Sequence, residues 1–306
     1  MNDFRHADDG PFPSFDWGAA ENFLGLPAEL AQLESAGVLL LPVPYEATVS
    51  WVSGTKDGPR AMIRASHFVE LYDHELDSEP YRVGVHTLPE LLLPGSGPEA
   101  AIAELRRAFD VVLGTGKFVI MLGGEHSLSS PPILAHADRL GDERLSVLQL
   151  DAHTDLREEY DGTPFSHAAV MHRVHERVDL VPVGIRSMTT AERTLARERQ
   201  IPIVFGHELE GEEWIDRVMA SLGTNVYITF DVDYFDPSVM PATGTPEPGG
   251  GRWNPTMRLL ERVFRERTVV GADVVELAPI PGMVAPDFTA AKLVYKMIGY
   301  HHAASA

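Results

Sequence analysis

The sequence predicts an α/β protein: a single domain over residues 1–306, with a three-layer α/β/α arrangement around a mostly parallel sheet of about eight strands. Three observations carry that prediction. Short apolar runs, each the length of a buried strand, recur from Val38 to Val275. Stretches with helical spacing separate most of them, which is the order of βαβ units. No linker, internal repeat or low-complexity tract interrupts the series.

The elements follow in order. Residues 1–35 read as an irregular N-terminal arm, because the first twenty mix Asp, Gly, Pro and aromatics without periodicity. Val38–Val43 is the first strand. The segment from Pro44, rich in Gly, Pro, Ser and Thr, is a long loop leading into a helix near Ala61–Glu70. Val83–Val85 reads as a small strand. Pro98–Leu113 repeats apolar residues at Ile102, Leu105, Phe109 and Val112, and Pro98 suits a first helical turn. Beyond it the alternation is regular. Strands are expected at Lys117–Leu122, Ser146–Leu150, Val178–Ile185, Pro202–Phe205, Asn225–Phe230 and Val269–Val275. Helices are expected at Leu128–Ala137, Ala168–Val174, Ala191–Arg199, Glu212–Leu222, Thr256–Arg267 and Phe288–Tyr300.

Composition narrows the function. With 44% hydrophobic and 23% charged residues, the chain has ample material for a core. There are 45 acidic residues against 25 basic ones, for a formal net charge of −20. Such a surface repels phosphate backbones and anionic membranes and draws in cationic small molecules, so neither nucleic acid nor membrane is an expected partner. The absence of cysteine excludes disulfides, thiolate metal sites and cysteine nucleophiles, and fits a reducing cytoplasm. The N-terminus has no apolar signal core, and no apolar run reaches the ~18 residues of a membrane helix.

In parallel sheets, ligands bind outside the carboxyl ends of the strands. Four of the expected strands end in chemically capable residues: Gly123-Gly-Glu-His126, Asp151-Ala-His153-Thr-Asp155, Asp231-Val-Asp233 and Glu276. In extended backbone, alternate side chains share a face, so Asp151, His153 and Asp155 can project together. Carboxylates packed so densely are costly to bury unless paired or metal-bound. The coincidence across four strands points to a metal site. His126, Asp151, His153, Asp155, Asp231 and Asp233 are too many ligands for one tetrahedral zinc and suit two divalent ions with bridging carboxylates. Donors so rich in carboxylate favour Mn²⁺ over softer metals. Two ions about 3.5–4 Å apart can share a bridging water and lower its pKa toward neutrality.

Read together, several motifs resemble the ureohydrolase (arginase/agmatinase) family. They are Gly123-Gly-Glu-His-Ser127, Asp151-Ala-His-Thr-Asp155, Phe230-Asp-Val-Asp-Tyr-Phe-Asp-Pro237 and Pro241-Ala-Thr-Gly-Thr-Pro-Glu-Pro-Gly-Gly250. Val275-Glu276 and the early Gly54-Thr-Lys-Asp-Gly-Pro-Arg60 fit the same pattern, in the same order. The resemblance implies an arginase-like fold and a binuclear enzyme with two Mn²⁺ per chain that hydrolyses a guanidino compound to urea and an amine. It assigns the six residues above as metal ligands, His167 as the histidine near the leaving amine, and Glu276 as the carboxylate holding the guanidinium. It also implies a homo-oligomer, a trimer or hexamer. Chemistry agrees with these roles: a carboxylate binds guanidinium in bidentate fashion, and histidine titrates where a leaving amine needs a proton. Glu125 replaces a frequent Asp, Ala242 a common Gly and Ala278 a frequent Asn; none is a ligand, and Glu125 is expected to change little.

The segment Leu156–His167 lacks the arginase Asn-Thr-Pro pattern and looks more like the agmatinase branch, which makes agmatine the expected substrate and putrescine the product. Glu158, Glu159 or Asp161 are candidates to receive its ammonium tail. The alternative, 4-guanidinobutyrate, has an anionic tail that would turn attention to Arg157. A one-metal amide deacetylase and a non-catalytic binding protein are the other classes left open. His67, His74, His86, His172, His175, His207, His301 and His302 lie outside the motifs and read as surface or structural, while Tyr45 and Trp51 could line a pocket mouth or a subunit contact.

Overall fold

A computed structural model of the chain describes residues 21–305. Its eight strands are β1 (Val38–Val43), β2 (Val85–Thr87), β3 (Phe118–Gly123), β4 (Leu145–Leu150), β5 (Asp179–Ile185), β6 (Val204–Phe205), β7 (Asn225–Asp231) and β8 (Thr268–Val275). They form one sheet in the order β2-β1-β3-β8-β7-β4-β5-β6, and every pairing is parallel. The seven α-helices among the described residues are α1 (Gly58–Ser66), α2 (Pro98–Leu113), α3 (Ser130–Leu140), α4 (Thr190–Glu198), α5 (Glu213–Ser221), α6 (Trp253–Glu266) and α7 (Ala285–Ser305).

The three layers follow from side chains alternating across each strand. Along β1, Val38 and Leu40 join a core with Met62 of α1, Trp214 of α5, Leu259 of α6 and Leu293 of α7. Leu39, Leu41 and Val43 point the other way, toward Leu105 and Phe109 of α2 and Ala135 of α3. Farther along that second face, Val147 and Leu180 pack with Ile133 of α3 and Ala196 of α4. Burial on both faces explains why β1 and β3 are apolar throughout instead of alternating. No helix among the described residues is long and apolar enough to cross a membrane.

Several boundaries differ from the sequence reading. Residues 1–20 of the expected arm lie outside the described residues; residues 21–35 hold two short 3-10 turns and bury Phe23, Leu24 and Leu26 completely. The small strand falls at Val85–Thr87, after a 3-10 turn at Pro80–Val83 and Gly84 at φ 78°. The expected helix at Ala168–Val174 is absent. Only a 3-10 turn at His167–Ala169 forms, capped by the Ser166 side chain. The reason is competition for backbone partners: Arg157 N donates to Ala168 O, while Met171 N and His172 N both donate to Asp155 O. Those bonds tie the segment to the preceding loop and prevent a helical ladder.

Candidate metal centre and active site

β3, β4, β7 and β8 end side by side, and each releases its polar residues at the same edge. After β3, Gly124 lets the loop following β1 approach closely; a Cβ there would collide with the Tyr45 carbonyl. Glu125 N donates to that carbonyl at 3.0 Å, and His126 opens a 3-10 turn leading into α3.

The six candidate ligands converge. His126 Nδ1 lies 3.2 Å from Asp151 Oδ2, 3.0 Å from Asp155 Oδ2 and 3.4 Å from Asp231 Oδ2. His153 Nδ1 lies 2.9 Å from Asp233 Oδ2 and 3.7 Å from Asp151 Oδ1. Two groups have metal-ligating geometry, His126 with Asp151 and Asp155, and His153 with Asp151 and Asp233. Asp151 belongs to both, one oxygen toward each histidine.

The candidate ligands are held by the backbone and by buried side chains. The His153 amide donates to Asp151 Oδ1 at 2.6 Å, and Gln149 Nε2 donates to Asp151 Oδ2 at 2.9 Å. Asp233 N donates to Asp231 Oδ1, and Ala152 N donates to Asp233 Oδ1, both at 2.9 Å. Asp155 adopts a left-handed backbone at φ 51°. Its neighbours are pinned by Glu192, the buried capping-box residue of α4, which accepts from the Thr154 hydroxyl at 2.8 Å and Leu156 N at 3.1 Å. Glu276 is also left-handed, at φ 65°, and its Oε1 accepts from His126 N at 2.6 Å. Non-glycine residues in this region persist only where surrounding structure dictates them.

Electrostatics show what the site wants. Burial penalises His153 as a cation, yet the Asp233 and Asp151 carboxylates push it up to about 12. Burial and the neighbouring Asp233, Asp151 and Glu276 carboxylates raise Asp231 well above its usual range. Burial, with Asp151 beside it, likewise raises Asp155; burial raises Glu276, reinforced by Glu125. Meanwhile the Nδ1 of His126 is fully buried, faces three carboxylate oxygens and makes no hydrogen bond. A dication would take up that lone pair and compensate the crowded carboxylates.

His167, on the loop after β4, is half-buried beside this cluster. Its Nε2 lies 3.1 Å from the Ser50 hydroxyl, and its Nδ1 lies 3.3 Å from those of Thr48 and Ser166. A small cavity between Val49, Ser50, His167, Gly244, Thr245 and Glu276 reaches down to the ligands. The proposed tail residues Glu158, Glu159 and Asp161 are exposed and do not line it. Arg157 instead stacks over Tyr160 at 5.1 Å, and Tyr160 presents an edge to His167. Sequence reading did not single out Thr48 and Ser50, whose Gly/Ser/Thr-rich loop was the available signal; Gly244 and Thr245 fell within the Pro241–Gly250 motif but had no assigned role.

A parallel α/β sheet whose carboxyl edge gathers two imidazoles and four carboxylates into overlapping sets belongs to the class of metal-dependent α/β enzymes. Residues 36–299 match the Arginase family, and the chain belongs to that family. Its members depend on a binuclear metal centre and hydrolyse the C–N bond of guanidino or amidino groups. The chain is 38% identical to an N(1)-aminopropylagmatine ureohydrolase of Synechocystis over 273 residues, 87% of this chain and 89% of the relative. It is 40% identical to the N(1)-aminopropylagmatine ureohydrolase of Thermus thermophilus over 268 residues, 87% and 90% of the two chains. Its fold superposes on the agmatine ureohydrolase of Thermoplasma volcanium with a TM-score of 0.82 at 26% identity, covering 93% of this chain and 95% of the other. Family membership sets aside the one-metal amide deacetylase.

Proposed function

We propose that the chain hydrolyses a guanidino amine of the agmatine type to urea and the free amine, using two divalent ions held by His126, Asp151, His153, Asp155, Asp231 and Asp233. The carrying observation is Asp151, which faces His126 with one oxygen and His153 with the other. Its carboxylate-rich donor set suits manganese. When bound, such a pair of ions supplies a water activated for nucleophilic attack near neutral pH.

The protein's own groups do the rest. The His126 amide fixes one Glu276 oxygen, which leaves the other for guanidinium N–H donors. A guanidinium there supplies the positive partner that this buried carboxyl lacks, and orients the carbon toward the ligand cluster. His167 donates the proton to the departing nitrogen as its bond to the guanidinium carbon breaks, through the Ser50 side of its ring.

Agmatine itself and agmatine with an N(1)-aminopropyl extension are both of this class. Relatives at 38–40% identity carry the second name, which favours the extended amine. Its longer cationic tail would run outward, toward the exposed acids Glu158, Glu159 and Asp161. The test is urea release from N(1)-aminopropylagmatine, agmatine, 4-guanidinobutyrate and arginine in the presence of Mn²⁺. The two cationic amines should lead in kcat/KM, with the extended one first. A lead for 4-guanidinobutyrate or arginine would overturn the substrate class.

A further inference from the structure

We infer that Glu125 is a positioning residue for His167, acting through Thr48 on the loop after β1. The inference rests on the proposed role of His167 as proton donor. Glu125 is completely buried, and four donors converge on its two oxygens. Oε2 accepts from Ala47 N at 2.6 Å and Thr48 N at 2.7 Å. Oε1 accepts from the Thr48 hydroxyl at 2.8 Å and from the Ser127 hydroxyl at 2.5 Å. The carboxylate therefore pins the 47–48 backbone to the end of β3, beside the ligand His126.

Thr48 passes this order on. Its hydroxyl accepts from His167 N at 3.0 Å and lies 3.3 Å from His167 Nδ1. A hydroxyl has one proton, and that of Thr48 is committed to Glu125, so toward the imidazole it can only accept. Thr48 thereby favours the neutral ring with its hydrogen on Nδ1, a form in which the Ser166 hydroxyl, also 3.3 Å away, can accept as well. Nε2, 3.1 Å from Ser50, is left as the atom that exchanges the reaction proton. Glu125 thus sets both where His167 sits and which of its nitrogens works, although it touches neither substrate nor imidazole.

The test is a double-mutant cycle on the manganese-loaded enzyme, with E125Q and T48V each made alone and on an H167N background, measuring kcat, KM and metal per chain. Glu125→Gln puts an amide among the four donors, and Thr48→Val removes the relaying hydroxyl while leaving Glu125 in place. Each should lower kcat about 10–100-fold, a part of what a general acid contributes, with KM within about twofold and two metals retained. On the H167N background each should cost less than about threefold more. Full additivity would overturn the inference, as would metal loss paralleling the loss of kcat, since Glu125 would then act through His126. If E125Q does not fold, T48V decides alone. If H167N itself leaves kcat unchanged, the proton-donor role fails first, and that result is distinct from additivity of the cycle.

Discussion

His126 Nε2 lies 2.9 Å from the Thr229 hydroxyl, which in turn donates to the buried Asp273 carboxylate at 2.7 Å. With its proton given to Asp273, the Thr229 oxygen accepts from Nε2–H and leaves the Nδ1 lone pair facing the three aspartates. Thr229→Val keeps the shape and deletes the relay. Metal affinity at the His126 side should fall about 10–100-fold, the usual loss for such supporting partners. Titration calorimetry with Mn²⁺ should show one tight and one weakened site; two unchanged sites would refute the relay.

Asp151 differs from its neighbours in serving both histidines. Asp151→Asn should therefore abolish binding of both ions, whereas Asp155→Asn and Asp233→Asn should each leave one. Elemental analysis after dialysis distinguishes them. Equal stoichiometry in all three variants would mean that the two sets do not share Asp151.

Glu276→Gln would remove the charge proposed to hold the guanidinium while keeping an acceptor for the His126 amide. Loss of a charge-assisted pair in a buried site predicts a fall in kcat/KM of roughly two to three orders of magnitude, with metal content unchanged. Free guanidinium ion should inhibit the parent enzyme and fail to inhibit this variant. Retained inhibition would place the guanidinium elsewhere.

Stability should fall on acidification through a histidine that is not among the candidate metal ligands. His136 in α3 is 7% exposed, its Nε2 has no hydrogen bond, and burial, with Arg139 nearby, lowers its pKa to about 4. Unfolded, it titrates near 6.5, so between those values the unfolded chain binds the extra proton. The contribution is complete above about pH 6.5 and is lost as pH falls toward about 4, on the order of 3 kcal/mol. Burial, reinforced by His302, lowers His301 to about 4 as well, so it acts in the same window while stacking on Phe118 at 3.9 Å. His136→Leu should make the pH dependence of urea unfolding shallower by about one proton across that window. An unchanged slope would show that His136 escapes its burial.

The alternation of strands and helices could be read from the sequence because strands buried on both faces are mostly apolar and punctuated by Gly, Pro and Asn. The six candidate ligands were readable because polar residues at strand ends contradict that apolar pattern. Strand order was not, since nothing local in Asn225–Asp231 or Thr268–Val275 says that they lie between β3 and β4. Thr229 and Asp273 escaped notice for the same reason: only their register across β7 and β8 makes them partners. Ala168–Val174 misled because its helical spacing is genuine, but its amides are spent on Asp155 and its neighbourhood. The hydrogen bonds of Glu125 were not readable because three of its four donors belong to Ala47 and Thr48, on the distant loop after β1.

The sheet order also has a consequence for biosynthesis. His126 leaves β3 and Asp151 leaves β4, yet β8 and β7 stand between those strands. A nascent chain extended only through α5 already carries His126, Asp151, His153 and Asp155, but has no spacer to set them at their native separation. Such long-range parallel pairing forms slowly and only once its partners exist. The two candidate ligand sets therefore reach their native spacing only once β7 and β8 are made and paired, so metal capture would report that these two strands are in place.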